Sequence, residues 1–212
     1  MPRPVLPLAA LAACLLITPV FAQPAAGRGQ GMGGMVSRAM LARQESVQTE
    51  LALTADQKAS IESELSAGGP GGAGGTNPRD MSEEERQKWR DERVARTAAD
   101  DKKLAGILDA KQAARLEQIR VQALGGGILM DPEVSKALGI TEAQTEQFRE
   151  AMQALRDEAQ NGGGGGGGMR EQMTAKAMAI LTPEQKTKLD SLRGPAFDVS
   201  TLQMRGRRRA AN

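Results

Sequence analysis

The chain of 212 residues has no tyrosine, no histidine, one cysteine, one tryptophan and three phenylalanines. Each shortage removes a class of explanation. Without histidine there is no imidazole for proton transfer, and the commonest metal ligand is missing. Cys14 stands alone, so neither an intrachain disulfide nor a cysteine-based metal centre can form. Aromatic side chains normally fill a thick core, and their scarcity predicts a thin, extended helical assembly instead. No run alternates β-branched or aromatic residues with polar ones, so no sheet is expected. No serine, lysine or cysteine nucleophile motif occurs, and neither enzyme activity nor a cofactor is expected.

What the chain does have is helix punctuation. Leu53-Thr54-Ala55-Asp56-Gln57, Leu108-Asp109-Ala110-Lys111-Gln112, Ile140-Thr141-Glu142-Ala143-Gln144 and Leu181-Thr182-Pro183-Glu184-Gln185 each place Thr or Asp three residues before Gln. This is a capping box: the first side chain accepts from the amide of the third helical residue, and Gln reaches back to the cap's own N–H. Pro183 fits the first helical position, where a missing N–H costs nothing. Thr54, Gln57, Asp109, Gln112, Thr141, Gln144, Thr182 and Gln185 are therefore read as helix caps. Ser82-Glu83-Glu84-Glu85 is a further box, opening a long charged helix that reaches about Leu108 with sparse apolar positions at Met81, Trp89, Val94, Leu104 and Leu108.

The boxes belong to a duplication. Val47, Leu51, Leu53, Thr54, Gln57, Ile61 and Leu65 map with a shift of 87 onto Val134, Leu138, Ile140, Thr141, Gln144, Phe148 and Met152. Ile107, Leu108, Gln112, Leu116, Ile119 and Arg120 map with a shift of 73 onto Ile180, Leu181, Gln185, Leu189, Leu192 and Arg193. Such a repeat sets the fold class: all-α, two tandem helical-hairpin units with disordered glycine-rich loops and termini. The first unit is placed at 36–127 and the second at 128–195, between a disordered lead at 23–35 and a basic disordered tail at 196–212. Val36, Met40, Val47 and Leu51 recur on one helical face, and Leu116, Ile119 and Ala123 form another stripe. Gly68-Gly69-Pro70-Gly71-Gly72 reads as a flexible break, and Gly125-Gly126-Gly127 as the end of the helix that carries Leu116, Ile119 and Ala123. Gly162–Gly168 reads as a tether that cannot be helical or packed.

The N-terminus has the pattern of an export signal over 1–22. Arg3 supplies the positive end, Val5 to Val20 the apolar run, and Val20-Phe21-Ala22 the small-residue cleavage site. Cleavage after Ala22 removes Cys14 and predicts a periplasmic or otherwise exported protein with no stable membrane insertion. A lipoprotein anchored through Cys14 is the alternative. Loss of Arg3 takes the net charge from +2 to +1, a balance with no drive toward nucleic acid. Met32, Met35 and Met40 could suit a soft cation, but fit a loose lead and a helix face better. Met169, Met173 and Met178 fit packing. Glu83, Glu84 and Glu85 complement a helix N-terminus, and Arg205, Arg207, Arg208 and Arg209 fit a solvated tail. No metal site is expected.

Leu53-Thr54-x-x-Gln57 and Leu181-Thr182-Pro183-Glu184-Gln185, flanked by charged amphipathic helices after an export signal, resemble the LTxxQ-motif periplasmic proteins of the Spy and Cpx-pathway type. The likeness runs from about Val36 to Gly194. It implies an all-helical envelope protein whose helices hold unfolded or partly folded clients without ATP. In other members of that family it implies envelope-stress or metal-stress regulation through one specific partner. Spy-like chains carry two motif positions and dimerise; with four, this chain is expected to be a monomer acting as a pseudo-dimer. The zinc-binding branch uses histidine, so zinc does not carry over.

Overall fold

The computed structural model describes residues 36–65, 81–162 and 168–202. The expected signal and lead, with Cys14, Met32 and Met35, lie outside these residues. So do the break at Gly68–Gly72, most of the seven-glycine run and the arginine tail.

Among the described residues the fold is all-α, with nine helices and no strand. The helices are α1 (Arg38–Ala42), α2 (Glu45–Glu50), α3 (Ala55–Glu64), α4 (Glu83–Ile107), α5 (Ala110–Leu124), α6 (Pro132–Leu138), α7 (Glu142–Gly162), α8 (Met169–Ile180) and α9 (Pro183–Arg193). Two 3-10 turns, Gly125–Leu129 and Val199–Thr201, complete the list of elements. The expected boxes open α3, α4, α5, α7 and α9, each with both reciprocal bonds made.

The duplication is visible in three dimensions. A shift of 87 carries α1 onto the 3-10 turn Gly125–Leu129, α2 onto α6 and the start of α3 onto α7; a shift of 73 carries the last turns of α4 onto α8 and α5 onto α9. In each unit two helices form a hairpin, α3 with α4 and α7 with α8, and α5 packs on α9 between units. The α3–α4 pair runs in opposite directions, since Gln57 meets Ile107 while Lys103 Nζ donates to Glu64 O.

The two units also share a helix stop. Ala52 N–H bonds to Thr49 O and Leu53 N–H to Gln48 O, while Gly139 N–H bonds to Lys136 O and Ile140 N–H to Ser135 O. This paired closure needs a left-handed residue at the turn. Gly139 supplies it at φ 67°, and in the first unit Ala52 is forced to φ 48°, the only described non-glycine residue with positive φ. Alanine bears that conformation at a cost of ~1 kcal/mol or more.

One contiguous apolar core runs through both units, including Leu41, Val47, Ile61, Leu116, Ile119, Ile128, Phe148, Ala177 and Leu189. Phe148 is the one aromatic among its largest fully buried side chains, and leucine and isoleucine do the filling.

Three expectations are corrected. The face through Val36, Met40, Val47 and Leu51 is not one helix: Gln44 takes an extended backbone between α1 and α2, and Leu41 rather than Met40 is fully buried. Gly125, Gly126 and Gly127 end α5 where expected and form a buried turn against α8. Helix α7 continues through Gly162, because Phe148, Met152 and Leu155 anchor its earlier turns in the core. The chain from 196 to 202 is packed, not disordered. Phe197 N–H donates to Gln122 Oε1, and Leu202 is buried.

Candidate functional site

The capping residues do more than cap. Gln57 and Gln112 face each other across the first unit: Gln57 Nε2 donates to Gln112 Oε1 at 2.7 Å, and Gln112 Nε2 returns a bond to Gln57 Oε1 at 3.1 Å. The remaining donors reach main chain, Gln57 to Ile107 O and Gln112 to Leu51 O. Their oxygens also accept the N–H of Thr54 and of Asp109, respectively. Each amide thus uses two donor and two acceptor contacts, its full capacity.

Gln144 and Gln185 repeat the arrangement in the second unit, at 2.7 and 3.1 Å, with Ile180 O and Gly139 O as the outer acceptors. The four boxes therefore form two face-to-face joints. The sequence carried a signal for this. A box accepts Glu or Gln equally at its third position, yet all four paired boxes have Gln and the isolated box at Ser82 has Glu85. Only an amide can accept from its own cap and also donate across to the opposite helix.

A second constellation escaped the sequence reading. Arg120, on the apolar stripe of α5 beside Leu116 and Ile119, has a side chain only 5% exposed. It binds Asp131 at 2.6 Å, Glu117 at 2.8 Å and Glu133 at 2.9 Å. Arg38 on α1 binds Asp101 of α4 at 2.9 Å and Glu117 at 2.8 Å, and also contacts Glu133. Asp131 meanwhile caps α6 through the Val134 amide. These six charges tie α1, α4 and α5 of the first unit to the start of the second.

Burial opposes the charge on Arg120, but bonds to Glu117 and Asp131 outweigh it and hold the guanidinium more firmly protonated than usual. Burial pushes the Asp101 carboxyl up, only partly offset by Arg38. Asp101 Oδ1 is buried with no hydrogen-bond partner. A charge on a buried stripe, such as Arg120, was the available clue.

The other candidates fall into place as structural parts. Glu85 closes the Ser82 cap, and the bond from the Ser82 backbone lowers its pKa. Glu83 pairs with Arg86 and Arg90. Met173 and Met178 pack against the core. Among the described residues no group of three or more His, Cys, Asp or Glu side chains is placed to hold a metal. Two open grooves of about 430 and 400 Å³ line α3–α4 and α8, with Gln57, Lys102 and Lys103 in the first and Arg170 and Met178 in the second. No helix among the described residues is long and apolar enough to cross a membrane.

The remaining feature is α4 itself. Asp100 and Leu104 are buried, but from Glu83 to Ala99 the helix is exposed apart from the half-buried Trp89, Arg90 and Arg93. Val94, 62% exposed, is the one large hydrophobic side chain that stands out among the described residues. No protein-family model, no curated protein and no solved structure matches this chain.

Proposed function

We propose that this is an exported, ATP-independent protein-binding chaperone of the cell envelope, which holds unfolded clients on the projecting part of α4. The observation that carries the reading is the exposure of residues 83–99 apart from Trp89, Arg90 and Arg93. Gln87, Asp91, Val94, Ala95 and Ala98 share one face there at helical spacing. A thin apolar strip set among charges binds many partners weakly and orders none of them, which suits holding rather than specific recognition. The capping-box motif, resembling that of the LTxxQ proteins, and the export pattern at the N-terminus support the same reading. One chain with two units supplies both halves of the holding body.

The alternative is a regulator of envelope or metal stress that binds one dedicated partner. A dedicated interface would concentrate its energy in a few buried anchors, and the strip around Val94 is spread out. Suppression of aggregation of a chemically unfolded client, measured by light scattering, separates the two. The wild-type protein should suppress it at near-stoichiometric ratio, and Val94→Asp should weaken suppression while leaving the melting temperature unchanged. A protein that suppresses nothing but is captured by a single envelope protein would establish the alternative.

A further inference from the structure

We propose that the groove between α3 and α4 binds a short peptide with free termini, about three residues long, by its two charged ends. The groove, of about 430 Å³, is lined by Asp56, Ser60 and Glu64 of α3 and by Lys102, Lys103, Gly106 and Ile107 of α4. The three α3 residues recur every four positions and so share a face, with Asp56 and Glu64 ~12 Å apart along the axis. The hairpin fixes which groups meet at each end. Gln57 bonds to Ile107 O at one end, and Lys103 Nζ reaches Glu64 O at the other. The two lysines therefore gather at the Glu64 end, and the Asp56 carboxylate stands at the Ile107 end. Glu64 offsets only one of the two ammoniums, so the groove is positive at one end and negative at the other.

The duplication supplies an internal comparison. The same two shifts carry Asp56, Glu64, Lys102 and Gly106 onto Ala143, Ala151, Ala175 and Ala179, while Gln57 and Ile107 are matched by Gln144 and Ile180. Helices α7 and α8 form their hairpin with those alanines in place. The hairpin thus needs the amide clasp, not the charges of the first groove. Nor do these charges serve one another: among the described residues the Asp56 and Glu64 carboxylates and the Lys102 ammonium make no hydrogen bond or ion pair. Gly106 is an independent sign. Its φ is not positive, and a methyl group built on it would meet nothing within 4 Å. Neither conformation nor packing asks for glycine there, and glycine weakens a helix relative to alanine. What it does is leave the floor of the groove open. An extended peptide of three residues spans about 10 Å, which sets its carboxylate against Lys102 and Lys103 and its ammonium against Asp56. The Ser60 hydroxyl, able to donate and to accept, then lies beside the middle peptide group. Val94 comes twelve residues before Gly106, ~18 Å along α4, so this groove and the client-holding strip are separate and each stands or fails alone.

Triglycine is the probe, titrated into the whole protein while the backbone amides of Ser60 and Gly106 are followed by NMR. Both should shift along one saturating curve with Kd on the order of 1 mM, as suits exposed ion pairs in an open groove. N-acetyl-triglycine lacks the ammonium and triglycine amide lacks the carboxylate. Each should bind about threefold more weakly or worse, the worth of one exposed ion pair. Asp56→Asn should bind triglycine and its acetylated form alike, and Lys102→Ala should weaken triglycine while leaving the amide unaffected. Gly106→Leu fills the floor and should abolish binding without lowering the melting temperature, since leucine is the better helix former. The end-blocked peptides test the same point with no substitution in the protein. Ser60 and Gly106 amides that do not respond to triglycine overturn the proposal. So do blocked peptides, or acetate alone, that bind as well as triglycine, or a folded Gly106→Leu that binds like wild type.

Discussion

Replacing Gln57 by glutamate asks the most of a single atom. The carboxylate can still accept the Thr54 N–H and the Gln112 amide, so the cap survives. It can no longer donate to Ile107 O or to Gln112 Oε1. Leaving the Ile107 carbonyl without this donor costs about 1–3 kcal/mol, and urea denaturation of Gln57→Glu should show a loss of that size. Glu85→Gln, at the exposed box that faces no other, should fall within about 0.5 kcal/mol of wild type. At this scale the sequence was readable in one dimension only. The spacing from Thr54 to Gln57 announces a cap because both partners sit within one turn. The partner of the amide, Gln112, is 55 residues away, and no local periodicity encodes that distance.

Elements show the same division. The boxes located five helix starts because capping is a local hydrogen-bond pattern. The character of the glycine segments was not local. Gly125–Gly127 was readable as the end of a helix, but not as the counterpart of α1 that packs on α8. A methyl group built on Gly126 would lie 2.5 Å from Met173 C and 2.6 Å from Met173 O, contacts with main chain that cannot swing aside. Gly126→Ala should therefore cost ~1–3 kcal/mol as overpacking, read as a drop in melting temperature. Gly127, with nothing within 4 Å of the same added atom, is the matched control. In the first unit the corresponding residue is Ala39, itself buried.

For the molecule as a whole, an ion cluster is added to the apolar core that joins the units. Asp101 is its most sensitive member, because burial raises its pKa while Arg38 pulls it back. A carboxyl whose folded pKa is raised favours folding while protonated. That contribution is complete below its ordinary value and is lost as pH rises through the raised value. Asp101→Asn carries no such titration. The stability of the variant minus that of wild type should climb with pH above the ordinary aspartate range, and paired urea titrations at stepped pH would measure it. The duplication was legible from the chain alone, but this ion cluster was not: Arg38, Asp101, Glu117, Arg120, Asp131 and Glu133 come from four helices and one helix cap, and only folding assembles them. The two kinds of joint then differ in what weakens them. Inside each repeat, neutral amides clasp one another and are indifferent to acid, alkali and brine. Between the repeats, apolar packing of α5 on α9 is joined by charges, which dissolved salt shields only where they reach the surface. Concentrated electrolyte should therefore weaken the ionic share of the contact between the repeats, while the apolar share and both amide clasps hold.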